Sequence, residues 1–103
     1  MTWGFFQRSD SRPASMGGLS FPNRSRSYDA TRRAVRFWGY FRSMENSFFV
    51  STEALTRLQP GISPDESGFL GAFDNNRDRI YAVAARVYAE GRRGSYDLTV
   101  TDF

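Results

Sequence analysis

The fourteen cationic side chains of this 103-residue chain are all arginine, and it contains no lysine, histidine or cysteine. The commonest neutral-pH proton shuttle, the thiol nucleophile, the Schiff-base amine and Cys/His zinc ligands are therefore absent. Carboxylate, hydroxyl, phenol and guanidinium remain for chemistry. Such a set suits touching a partner better than transforming one. The expectation is a non-catalytic protein with no cofactor and no metal.

Two constellations could recognise something. Arg24, Arg26, Arg32 and Arg33, with Tyr28 among them and Arg36 close behind, carry the electrostatic footprint of a phosphate or nucleic-acid contact. Asp29 and the interspersed Ser and Thr fit a solvated loop, the reading the pattern favours, with phosphate contact as the other. The second constellation is aromatic. Trp38, Tyr40 and Phe49, with Arg36, form a stacking platform for bases or an apolar contact surface, provided they share one sheet face. The alternative is that Phe21-Pro22 or a second copy of the chain covers the rings, and that Arg36 pairs across strands with Glu45 or Asp97.

Three further patterns carry less. Glu45 and Asp97 could oppose each other as paired carboxylates do in glycosidases, but nothing in the sequence builds a pocket to separate their pKa values. Asp74, Asn76 and Asp78 open like a calcium loop, yet Arg79 stands at the glycine position and Ala85 at the bidentate glutamate. Gly91-Arg92-Arg93-Gly94 follows a helix C-terminus, where arginines offset the helix dipole and do not cradle phosphate.

The elements that must position these residues follow from periodicity. Residues 33–40, RAVRFWGY, and 44–50, MENSFFV, read as two strands of an antiparallel hairpin turning through Phe41 to Ser43. Alternation places Val35, Phe37, Met44, Phe48 and Val50 toward the core, and Arg36, Trp38, Tyr40, Glu45, Ser47 and Phe49 on the other face. Ser51 or Thr52 caps a short helix, STEALTRL, that stops at Pro60-Gly61. Ser63-Pro64-Asp65-Glu66 reads as a capping box opening a long helix to Glu90, which must outreach the sheet or bend near Asp74 to Asn76. SYDLTVTD then reads as a last strand with Tyr96, Leu98 and Val100 inward. The expected fold is α+β: a small antiparallel sheet, the β-hairpin plus the C-terminal strand, packed on one short and one long helix in the order β-β-α-α-β.

Residues 1–20, rich in Ser, Gly and Arg, show no period and read as a flexible tail ahead of a single domain over residues 21–103. Met16 is a candidate translation start, and Phe21 a ring that anchors the chain. Aromatics make up 17% of the residues, so rings must fill much of the one modest core that a chain of this length can build. No apolar run approaches a membrane span and no secretory signal is legible, so the expectation is a cytoplasmic protein that does not engage a membrane.

The segments FPNRSRSYDATRRAVRFWG, SFFV running into EAL, and AFDNNRDRIYAVAARVYAEGRRGSYDL resemble the small bacterial proteins of the domain-of-unknown-function 1488 family. The likeness covers residues 21–103. It implies a compact α+β domain and carries no catalytic or binding residues across, because that family has no assigned activity. From the residues themselves, the favoured function is an interaction module binding a protein or itself. Nucleic-acid binding through the Arg-rich segment and sheet aromatics is the alternative, and a carboxylate-based enzyme a distant third.

Overall fold

The computed structural model describes residues 15–16, 18–88 and 95–103. The chain runs β1 (Ser15–Met16), β2 (Leu19–Ser20), β3 (Ser27–Asp29), β4 (Ala34–Phe41), β5 (Met44–Ser51), α1 (Thr52–Leu58), α2 (Glu66–Asn75), α3 (Arg77–Val87) and β6 (Ser95–Leu98), and closes with a 3-10 turn at Val100–Asp102. The main path of the sheet is β1-β2-β4-β5-β6, and β3 also pairs with β4.

The expected hairpin forms β4 and β5, in register from Ala34 opposite Ser51 to Phe41 opposite Met44. Its loop is the two residues Arg42 and Ser43, with φ of 50° and 69°. Two-residue hairpins favour positive φ at both central positions because that backbone follows the twist of the strands. Neither residue is the glycine or asparagine that adopts it at least cost.

Strand β3 forms where a loop was expected, the last strand stops at Leu98 with Val100 in the 3-10 turn instead of on the strand, and three larger features depart from the expected topology. First, β6 runs parallel to β5, with Ser47 opposite Ser95 and Val50 opposite Leu98. The sheet is therefore mixed. A parallel pair needs a long crossover connection, and the helical segment between β5 and β6 supplies it. Alternation of inward residues is the same in either direction, so the sequence pattern left direction open.

Second, the single long helix is two. Asn76, at φ −122° and ψ 22°, leaves the helical region between α2 and α3. Its side-chain amide donates to the Ala72 carbonyl at 2.8 Å and to Gln59 Oε1 at 3.2 Å. Of the two expected outcomes, a helix that outreaches the sheet or one that bends near Asp74 to Asn76, the second holds, and the bend folds both halves onto the sheet. The first half opens on Asp65, whose carboxylate accepts from Gly68 N at 2.8 Å, instead of on the expected Ser63. Pro64 thus precedes the cap. The second half ends at Val87 and not at Glu90; the Gly91 to Gly94 segment lies outside the described residues.

Third, the fold begins before residue 21. Leu19 and Ser20 pair with Phe41 and Tyr40, and Leu19 is fully buried. Residues 1–14 and 17, the rest of the expected tail, lie outside the described residues.

The core lies between the sheet and the helices. Val35, Phe37, Phe48, Val50, Tyr96 and Leu98 are buried from the sheet, and Ala54, Leu55, Phe69, Phe73, Ile80 and Ala84 from the helices. Rings dominate, as composition required: Phe37 lies 5.4 Å from Phe48 and 5.2 Å from Phe73, and Phe48 lies 5.1 Å from Tyr96. Each fully buried Phe contributes about 1.5–3 kcal/mol over leaving it in water. Phe21 anchors the entering chain by stacking on Tyr81 at 4.2 Å. Gly39 gives it room, since a Cβ there would meet the Phe21 ring at 2.8 Å. Met44, assigned to the core by alternation, is 62% exposed at the hairpin tip. Ser51 caps α1 as expected, accepting from Ala54 N at 3.0 Å.

Candidate interaction surface

All the helical core residues pack on one face of the sheet, and period-two alternation sends the intervening side chains to the other. Register orders these outer side chains in rows. Arg36 of β4, Phe49 of β5 and Asp97 of β6 form one row; Trp38, Ser47 and Ser95 the next; Tyr40 and Glu45 a third, toward the hairpin tip. Trp38, Tyr40 and Phe49 are absent from the cluster that joins sheet to helices. The sequence pattern thus brings Arg36, Trp38, Tyr40 and Phe49 together as expected.

Their local environments differ. Phe49 is only 7% exposed, because the guanidinium of Arg32 lies over its ring, 3.9 Å from the centroid. That guanidinium also reaches Asp97 Oδ1 at 3.7 Å and Ser95 Oγ at 3.4 Å. Phe49 is therefore no open stacking group; an arginine already occupies its face. Trp38 keeps partial exposure, with the Arg36 guanidinium 5.1 Å from its ring. Phe21 does not cover it, since Phe21 packs on the opposite, helical side.

Arg36 pairs with neither Glu45 nor Asp97. Its Nη2 donates to Ser47 Oγ at 2.9 Å, and its Nε is buried without an acceptor. Tyr40 donates its hydroxyl to Glu45 Oε2 at 2.8 Å, and this bond raises the phenol's pKa. Glu45 and Asp97 do not form a carboxylate pair. Asp97 stands opposite Phe49, four residues along β5 from Glu45, which at about 3.3 Å per residue separates the two by roughly 13 Å.

The Arg-rich segment is dispersed and does not form one patch. Arg26 makes a two-pronged contact to Asp74, with Nε at 3.0 Å and Nη2 at 2.8 Å. Arg77 binds the same carboxylate at 2.9 Å, and also the Tyr81 hydroxyl at 2.6 Å and the Arg24 carbonyl at 2.7 Å. Chiefly because Arg26 donates to it, the Asp74 carboxyl titrates below its ordinary range. Arg24 lines an open cavity of about 530 Å³ beside this cluster. Arg33, at φ 53°, is exposed in the turn before β4. The sequence pattern showed Asp74 only as the start of an incomplete calcium-loop spacing, and its link to Arg26 was not legible there. Only the i,i+3 spacing of Asp74 and Arg77 hinted at half of it.

Among the described residues, no group of three or more acidic, His or Cys side chains converges to hold a metal ion. No described helix is long and apolar enough to cross a membrane. No curated protein and no solved structure is detectably similar to the chain. A family model described as "Protein of unknown function (DUF1488)" matches residues 19–100, a span that runs from the first buried residue of β2 through β6, and the chain therefore belongs to the DUF1488 family.

Proposed function

We propose that this protein is a non-catalytic interaction module and that the outer face of its sheet is the surface with which it binds another polypeptide. One observation carries the reading. Among the described residues the helices cover only one side of the sheet, and on the other Trp38 stays partly exposed in the middle row, between arginine above and a tyrosine–glutamate pair below. Tryptophan flanked by arginine and tyrosine is the composition of the few residues that dominate protein–protein contacts.

The charges on that face favour protein over nucleic acid. Glu45 and Asp97 repel a phosphate backbone, Arg32 is held by Asp97 and Phe49, and Arg26 is neutralised by Asp74. A strand of nucleic acid would find the Phe49 ring and the Arg26 and Arg32 guanidinium groups already engaged. The discriminating experiment compares Trp38→Ala with Arg32→Ala/Arg33→Ala. Loss of protein binding in the former, with little salt dependence and no effect of nuclease, is expected. Binding of a labelled mixed single strand that weakens steeply with salt and fails in the double arginine variant would replace this reading with the nucleic-acid one.

A further inference from the structure

We propose that the polypeptide received on the outer face is a second copy of this chain, stacked sheet to sheet about a two-fold axis that crosses the strands over Trp38 and Ser47. This rests on the reading of that face as a binding surface and adds the identity of its occupant.

The inference comes from how charge is distributed along the rows. Among the described residues, Arg36 is the sheet-face cation without a carboxylate partner, and Glu45 the sheet-face carboxylate without a cationic one. They lie at opposite ends of the face, with the Trp38 row between them. From Arg36 to Tyr40 along β4 is about 13 Å at 3.3 Å per residue, too far for the two charges to meet within one chain. A two-fold operation reverses strand direction while keeping the middle row in place, so the Arg36 row of each copy lies over the Tyr40 and Glu45 row of the other. Both unpaired charges then meet twice, as an isologous contact demands.

The chemistry at each end fits. Arg36 is half-buried on this face with a neutral hydroxyl, Ser47 Oγ, accepting from its Nη2, and a carboxylate is the acceptor that forms the stronger, charge-assisted bond to a guanidinium. Tyr40 holds Glu45 at 2.8 Å and fixes its direction. The two Trp38 rings meet near the axis, and Ser47 and Ser95, short and polar, allow the sheets to approach to about 10 Å. A peptide of arbitrary sequence would satisfy one end of this pattern; a second copy satisfies both.

Sedimentation velocity tests the pairing. The wild-type chain is expected to be a dimer at high micromolar concentration, and Trp38→Ala to weaken association by about 30-fold or more, the scale of a central aromatic contact. Arg36→Glu and Glu45→Arg are each expected to be monomeric, because each places like charges together at both ends. Mixed in equal amounts, they are expected to form a heterodimer, and the double variant carrying both changes to regain the homodimer, which also shows that each variant is folded. A monomeric wild type, or a dimer indifferent to either single change, overturns the pairing. A photo-reactive residue at position 47 keeps this failure distinct from failure of the face: crosslinking in the native host to a different polypeptide would leave the face a binding surface while removing the second copy as its occupant.

Discussion

The cluster at Asp74 offers a quantitative test of how the β2–β3 segment is fastened to the helices. In Asp74→Asn the bidentate contact from Arg26 and the single contact from Arg77 both lose their charge. Arg26 and Asp74 are 33% and 39% exposed, so solvent screening holds their share to about 0.5–1 kcal/mol. Arg77 is only 10% exposed and keeps the Tyr81 hydroxyl and the Arg24 carbonyl, so weakening its charged bond costs about 1–1.5 kcal/mol more. Urea unfolding at pH 7 is expected to give a loss of roughly 2 kcal/mol. The pH dependence has a definite sign. Asp74 titrates lower in the folded chain than in the unfolded one, so its contribution is fully present above the unfolded carboxyl pKa of about 3.9 and is lost as pH falls through the lower folded value. The difference between wild type and variant should therefore be flat near neutrality and shrink in strongly acidic solution. A variant as stable as wild type at pH 7, or a difference that grows on acidification, would refute the cluster as a fastening.

Three other substitutions probe separate parts of the fold. Ser43→Gly, at φ 69°, should stabilise the hairpin by about 0.5–1 kcal/mol in thermal or urea unfolding, because glycine adopts that backbone without a side-chain clash. Gly39→Ala should destabilise by about 1–3 kcal/mol, since the new methyl meets the Phe21 ring at 2.8 Å and Phe48 at 3.0 Å; restored stability in Gly39→Ala/Phe21→Leu would identify the clash as the cause. Gly68→Ala should cost more than Gly71→Ala in the same helix by over about 1 kcal/mol, because a Cβ at 68 would lie 2.0 Å from the Ser63 carbonyl oxygen while one at 71 meets nothing.

How much the sequence disclosed depended on whether a feature is local. The hairpin and the Ser51 cap are encoded by neighbours a few residues apart and form where the pattern put them, the turn closing on Arg42 and Ser43 with Phe41 still in the strand. Alternation likewise sorted Val35, Phe37, Phe48 and Val50 from Arg36, Trp38 and Tyr40. It misled at Met44, where parity is right but the side chain stands exposed at the hairpin tip. The parallel direction of β6, the pairing of Leu19 with Phe41 and the Arg26–Asp74 link join residues far apart in the chain, and no periodicity reports them. At the candidate surface, the grouping of side chains was legible while their partners were not. Arg32 comes from the turn before β4 to cap Phe49, a contact set by tertiary placement.

The most direct test of the outer sheet face as the working surface is site-specific photo-crosslinking in the native host. A photo-reactive residue replacing Ser47, beside Trp38 in the middle row, is compared with one replacing Glu53, exposed on α1. Crosslinking of position 47 to a discrete polypeptide, abolished by Trp38→Ala and absent from position 53, is the predicted result. Crosslinks from position 53 alone, or to nucleic acid from position 47, would contradict it.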